Sequence, residues 1–125
     1  MASVGIFEGN CGQNSFATSE QGLQVNESVQ LNGSTDLNNC MQANDNGCVY
    51  GITLAESPGH FNYVLMVDAQ GPEGIGSGAM HLYFTDKTGD TYPLEIDSST
   101  RSTHTVRYNS DNPAIIKIQW NNKSV

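Results

Sequence analysis

At 125 residues the chain is long enough to bury one core without metals or disulfides, and it reads as a single domain spanning residues 1–125. Thirteen Asp and Glu against five Lys and Arg give a net charge of −8. That balance repels phosphate backbones and anionic lipid, which argues against a nucleic-acid or membrane-surface partner. No run approaches the roughly 20 apolar residues of a membrane helix, so no membrane insertion is expected.

The charge is unevenly placed. Lys87, Arg101, Arg107, Lys117 and Lys123 all lie in the last third, and Met1 to Asp86 contain no Lys or Arg. An acidic stretch of this kind suits divalent cations or basic partners. The three cysteines, Cys11, Cys40 and Cys48, allow one bridge and a thiol, or three thiols, and have no zinc-site spacing. The start, "MASVGIFEGN", has neither a basic nor an apolar leader region. The expectation is a cytoplasmic protein or one exported without a cleaved signal, and an extracellular one if a leader has been removed.

Taken in chain order, the elements are strands. "VGIFEG" alternates, and "FEGNCGQNSF" follows as a tight polar turn. "LQVNESVQLN" alternates with one slip near Glu27, and "STDLNNCMQ" holds the single candidate helical turn. "CVYGITLAE" is expected to place Val49, Gly51, Thr53 and Ala55 on one face and Tyr50, Ile52 and Leu54 on the other. "FNYVLMVDAQ" is nearly continuously apolar and reads as a central strand. The glycine-rich segment 71–78 lacks the lysine of a phosphate loop and reads as a connector.

"MHLYFTD-KTGD-TYPLEID" is a predicted hairpin, with Gly89 supplying a positive φ. "STHTVRY-NSDNP-AIIKIQW" is a second predicted hairpin. Its last strand sets Ile116, Ile118 and Trp120 against Ile115, Lys117 and Gln119. Eight or nine short strands joined by Gly and Asn turns predict an all-β sandwich or barrel with Greek-key connections, and a single Greek-key β-sandwich is the expected form. The triplets at Asn26, Asn32 and Asn122 match the glycosylation sequon, which an Asn-rich chain meets by chance.

Enzyme signatures are weak. His60, His81 and His104 are scattered, and Glu56 and Glu95 have no spacing that marks a carboxylate pair, so no catalysis is expected. Aromatic faces flanked by Asn and Asp suit carbohydrate, which makes Tyr92 and Tyr108, both near turns and so expected to be exposed, candidate ligand-binding residues.

The polar turn carries a resemblance. Phe7, Asn10, Cys11, Ser15 and Phe16 form a frame Phe-x-x-Asn-Cys-x-x-x-Ser-Phe, and seven residues separate Cys40 from Cys48. Over about residues 3–55 this is similar to the N-terminal domain of the slime-mould calcium-dependent cell-adhesion molecules, which is βγ-crystallin-like. The glycine expected just before the serine is displaced to Gly12, and no second motif follows residue 58.

The resemblance implies a βγ-crystallin-like sandwich with a weak Ca²⁺ site. Asp36, Asn38 and Asn39 would be its oxygen ligands, and Glu8 would reach in from the folded hairpin. The function expected is then a non-enzymatic recognition module for calcium-associated cell adhesion, through self-association or contact with a cell-surface protein or glycan. The alternative is a small carbohydrate-binding lectin or defence protein that uses Tyr92 and Tyr108.

Overall fold

The computed structural model describes residues 15–17, 21–30, 48–71 and 80–122. Eight strands run in chain order: β1 (Ser15–Ala17), β2 (Glu27–Gln30), β3 (Cys48–Glu56), β4 (Tyr63–Gln70), β5 (Met80–Asp86), β6 (Thr91–Ile96), β7 (Ser102–Tyr108) and β8 (Ile115–Asn122). They form two four-stranded antiparallel sheets, ordered β1-β8-β5-β6 and β2-β3-β4-β7. The architecture is a β-sandwich. No helix among the described residues is long and apolar enough to cross a membrane.

The core lies between the sheets. Ile52, Leu54, Leu65, Val67 and Ala69 face inward from one sheet, and Leu82, Phe84, Ile96, Ile115 and Ile118 from the other. Fully burying each large aliphatic or Phe side chain contributes about 1.5–3 kcal/mol. As its apolar run predicts, β4 is an interior strand, paired with β3 on one side and β7 on the other. A reciprocal pair of backbone bonds ties Leu23 to Ile115 (2.9 and 3.0 Å) and closes the sandwich beside Gly22. Gly22 has φ +72°, and a Cβ there would stand 2.3 Å from the Ile115 carbonyl oxygen, so only glycine fits. Asn26 also has positive φ (69°), in the turn that enters β2 at the predicted slip.

Three expectations are corrected. In β3 the register passes from Val49↔Ala69 to Gly51↔Asp68, so Tyr50 is an extra residue. This bulge reverses the parity. Val49 joins Ile52 and Leu54 inside, and Tyr50 turns outward. A second irregularity falls where Thr85 pairs with Lys117 and Asp86 with Ile115, so Ile115 and Ile118 are both buried while Ile116 is only half-buried.

The third concerns β7 and β8, which form no hairpin. β7 pairs with β4 and β8 with β5 and β1, so residues 109–114 arch from one sheet to the other. Tyr108 fixes this arch by donating to the Pro113 carbonyl (2.6 Å). The predicted β5–β6 hairpin is present, with Gly89 at φ +97°. The first strand, the polar turn up to residue 14, the helical turn and most of the glycine-rich connector lie outside the described residues.

Candidate functional site: the braced loop end

The β3–β4 turn (residues 57–62), the β5–β6 turn (87–90) and the β7–β8 arch (109–114) meet at one end of the sandwich. What joins two of them directly is Asp86, a fully buried carboxylate at the end of β5. Its Oδ1 accepts from the Thr88 amide (2.9 Å), the Thr88 hydroxyl (2.6 Å) and the Asp90 amide (3.0 Å). Its Oδ2 accepts from the Tyr92 hydroxyl (2.7 Å) and the Ser110 hydroxyl (2.5 Å).

Burial by itself raises the Asp86 pKa. The hydrogen bonds from Ser110, Thr88, Tyr92 and the Asp90 amide outweigh it and hold the group below the ordinary carboxylate value. The Tyr92 hydroxyl is pushed up, by burial first and then by donating to Asp86 beside that negative charge.

Asn109 extends the brace to the third loop. Its Oδ1 accepts from the Asn62 amide (2.6 Å), and its Nδ2 donates to the His60 carbonyl (3.2 Å). The Asn109 carbonyl lies 3.2 Å from the Tyr92 hydroxyl, which links it back to the Asp86 hub. Ser57 accepts from Arg107, and its amide donates to the Asn62 carbonyl (2.8 Å). Beneath these bonds the Tyr92 and Tyr108 rings pack 4.3 Å apart between centroids, and Tyr63 packs on Tyr108 at 5.8 Å.

The surface so held carries Phe61, the one exposed large apolar side chain among the described residues, at 40% of its full exposure. The His60 ring meets it edge to face at 4.8 Å. A cleft of about 390 Å³ opens beside them, lined by Glu56, Ser57, Pro58, Asn62 and Tyr63. Exposed charges of both signs lie on the loops and strand ends of this end of the sandwich: Glu56, Asp90 and Asp111 with Lys87 and Arg107. An aromatic on a fixed turn beside a cleft is suited to holding a partner, since little ordering remains to be done at contact.

The residues singled out from the sequence fall in different places. Tyr108 is 2% exposed and supports the loop end from below. Its expected exposure is corrected, because the ring at the end of β7 faces the core and its hydroxyl is spent on Pro113. Tyr92 is half-buried with its hydroxyl on Asp86, so it braces the surface too. Glu8, Asp36, Asn38 and Asn39 lie outside the described residues. Among the described residues no group of three His, Cys, Asp or Glu is gathered as metal ligands would be.

The histidines stay apart. His60 is on the β3–β4 turn, His81 lies 3.6 Å from Glu95 across β5 and β6, and His104 Nε2 is 3.1 Å from the Ser102 hydroxyl. Sequence reasoning missed Asp86. An Asp followed two residues later by Thr and three later by Gly does mark an Asx-type turn, but nothing local points to Ser110 or Tyr92. Comparison with protein-family models, curated proteins and solved structures finds no match.

Proposed function

We propose that this chain is a non-enzymatic recognition module that self-associates through its loop end, in the manner of a cell-adhesion domain. The observation that carries this reading is Phe61, held exposed on a turn that Asn109 braces directly and that the Asp86 hub reaches through Asn109. An aromatic anchor next to a cleft is the usual centre of a protein contact. The exposed charges of this end have both signs, Glu56, Asp90 and Asp111 with Lys87 and Arg107, which allows a second copy to pair acid with base across a two-fold axis.

The finer reading, a Greek-key sandwich of βγ-crystallin-like type that binds Ca²⁺, is supported by the residues of the polar turn and by Asp36, Asn38 and Asn39 with Glu8. In that reading Ca²⁺ orders the segment between Asn32 and Asn46 and strengthens a contact made outside the cell.

Sedimentation velocity across a concentration series tests both parts. Wild type is expected to shift toward dimer as concentration rises, and Phe61→Ser to stay monomeric with an unchanged unfolding midpoint. Calcium dependence is read from the same series with chelator and with Asp36→Ala. A wild type that stays monomeric with and without Ca²⁺ refutes self-association. Dimerisation insensitive to chelator retains the contact and removes the cation.

A further inference from the structure

The outer face of the β2-β3-β4-β7 sheet carries a second feature, remote from the loop end. Two neighbouring rows of residues cross this face. One runs Ser28↔Thr53↔Met66, and the next runs Gln30↔Gly51↔Asp68↔Thr103. Where every other position in these rows has a side chain, Gly51 has none, and a groove of about 290 Å³ lies above it. Its backbone is not in the left-handed region, and a Cβ there would meet only the Val29 carbonyl oxygen, at 3.3 Å. Backbone conformation therefore does not demand glycine at 51. The hollow itself is what the missing side chain provides.

The walls have a consistent chemistry. Ser28 and Thr53 hydroxyls bond one another at 2.7 Å, and Thr103 and Asp68 stand opposite with Met66 between. Arg101 grips Asp68 with two bonds, Nε to Oδ1 at 3.0 Å and Nη2 to Oδ2 at 2.8 Å. The guanidinium in turn lies 3.7 Å over the Tyr50 ring, and the Tyr50 hydroxyl donates to Gln70 Oε1 at 3.0 Å. The bulge that turns Tyr50 outward is what places the ring there.

This arrangement fixes the carboxylate in position and cancels its charge, while each oxygen keeps a second lone pair for a new donor. Asp68 is the one charged residue of the lining and Arg101 neutralises it, so the groove complements a neutral molecule. Hydroxyls on both walls call for a ligand that both donates and accepts hydrogen bonds. Met66 offers a small apolar patch for a C–H face. The volume sits at the small end of ligand pockets, which begin at about 300 Å³.

We infer that this groove binds one neutral pyranose residue. Asp68 accepts hydroxyl donors, Ser28, Thr53 and Thr103 bond the remaining hydroxyls, and the ring's C–H face lies on Met66. The site is independent of self-association, because it shares no residue with the loop end.

The test is an NMR titration of ¹⁵N- and methyl-labelled protein with a panel of neutral methyl glycosides (glucoside, mannoside, galactoside and N-acetylglucosaminide), in chelator. At least one glycoside is expected to shift Gly51 and Thr53 amides and the Met66 methyl in a saturable way. Gly51→Val, which fills the hollow, is expected to weaken that binding at least tenfold, and Phe61→Ser to leave it unchanged. Where Gly51→Val fails to fold, Asp68→Asn decides, again with at least tenfold loss. No saturable shift with any glycoside overturns the inference, as does binding that survives both groove substitutions or maps to Phe61. Loss of self-association in Phe61→Ser alongside intact glycoside binding separates the two sites.

Discussion

Replacing Asp86 with alanine removes the acceptor of five hydrogen bonds at once, and the structure indicates which of them matter. The two Thr88 donors and the Asp90 amide belong to an exposed turn, where water takes the place of the carboxylate. The Tyr92 and Ser110 hydroxyls are only partly exposed and point at a fully buried oxygen. Hydrogen bonds to a charged group contribute about 1.5–3 kcal/mol each, and two of them lost inside, less the relief of no longer burying a charge, amount to about 2–5 kcal/mol. Against a domain stability of about 5–15 kcal/mol, that is a large fraction.

Asp86→Asn keeps one oxygen for the turn donors and presents an amide to two hydroxyls that can rotate to accept it, so it is expected to cost about 1–2 kcal/mol. Urea unfolding measures both variants. A cycle with Ser110→Ala is expected to show a coupling of about 1–2 kcal/mol. Asp86→Ala within 1 kcal/mol of wild type, or strict additivity with Ser110→Ala, would refute the assignment of Asp86 as the hub.

Acid should act on the same group. Because the folded-state pKa of Asp86 lies below that of the unfolded chain, its contribution is complete above about pH 4 and is lost as pH falls through the folded value. Unfolding free energy measured from pH 6 downward is expected to fall less steeply in Asp86→Asn than in wild type. Gly22→Ala, which forces a Cβ to within 2.3 Å of the Ile115 carbonyl at positive φ, is expected to destabilise by more than about 2 kcal/mol in urea. Tyr108→Phe deletes the bond to Pro113 while keeping the ring, and is expected to lower stability by about 1–2 kcal/mol without changing the slope of the urea transition.

Much of the fold was legible from local pattern. β3 begins and ends where "CVYGITLAE" does, β4 is interior as its apolar run required, and Gly89 has the positive φ its turn demanded. What was not legible is what depends on distant partners. The bulge at Tyr50 reverses the face of Val49, and only the pairing with Ala69 and Asp68 reveals it, although a glycine inside a strand pattern was a hint.

The hairpin expected from "STHTVRY-NSDNP-AIIKIQW" failed for a similar reason. Five turn residues between two strands serve a hairpin or an arch between sheets equally well. Tyr108 bonding to Pro113, with β4 and β5 already waiting as partners, selects the arch. The aromatic residues were misjudged in the same way. Nearness to a turn suggested exposure, whereas parity along β7 sends Tyr108 inward.

The loop end is one preformed unit, and amide hydrogen exchange measures that directly. The Thr88 and Asp90 amides, bonded to Asp86, and the Asn62 amide, bonded to Asn109, are expected to exchange with protection comparable to neighbouring strand amides. In Asp86→Ala all three are expected to lose protection together, Asn62 included, since its partner Asn109 is tied to Asp86 through Tyr92 and through the adjacent Ser110. Exchange of these amides at unprotected rates in wild type, or an Asn62 amide indifferent to the loss of Asp86, would contradict it.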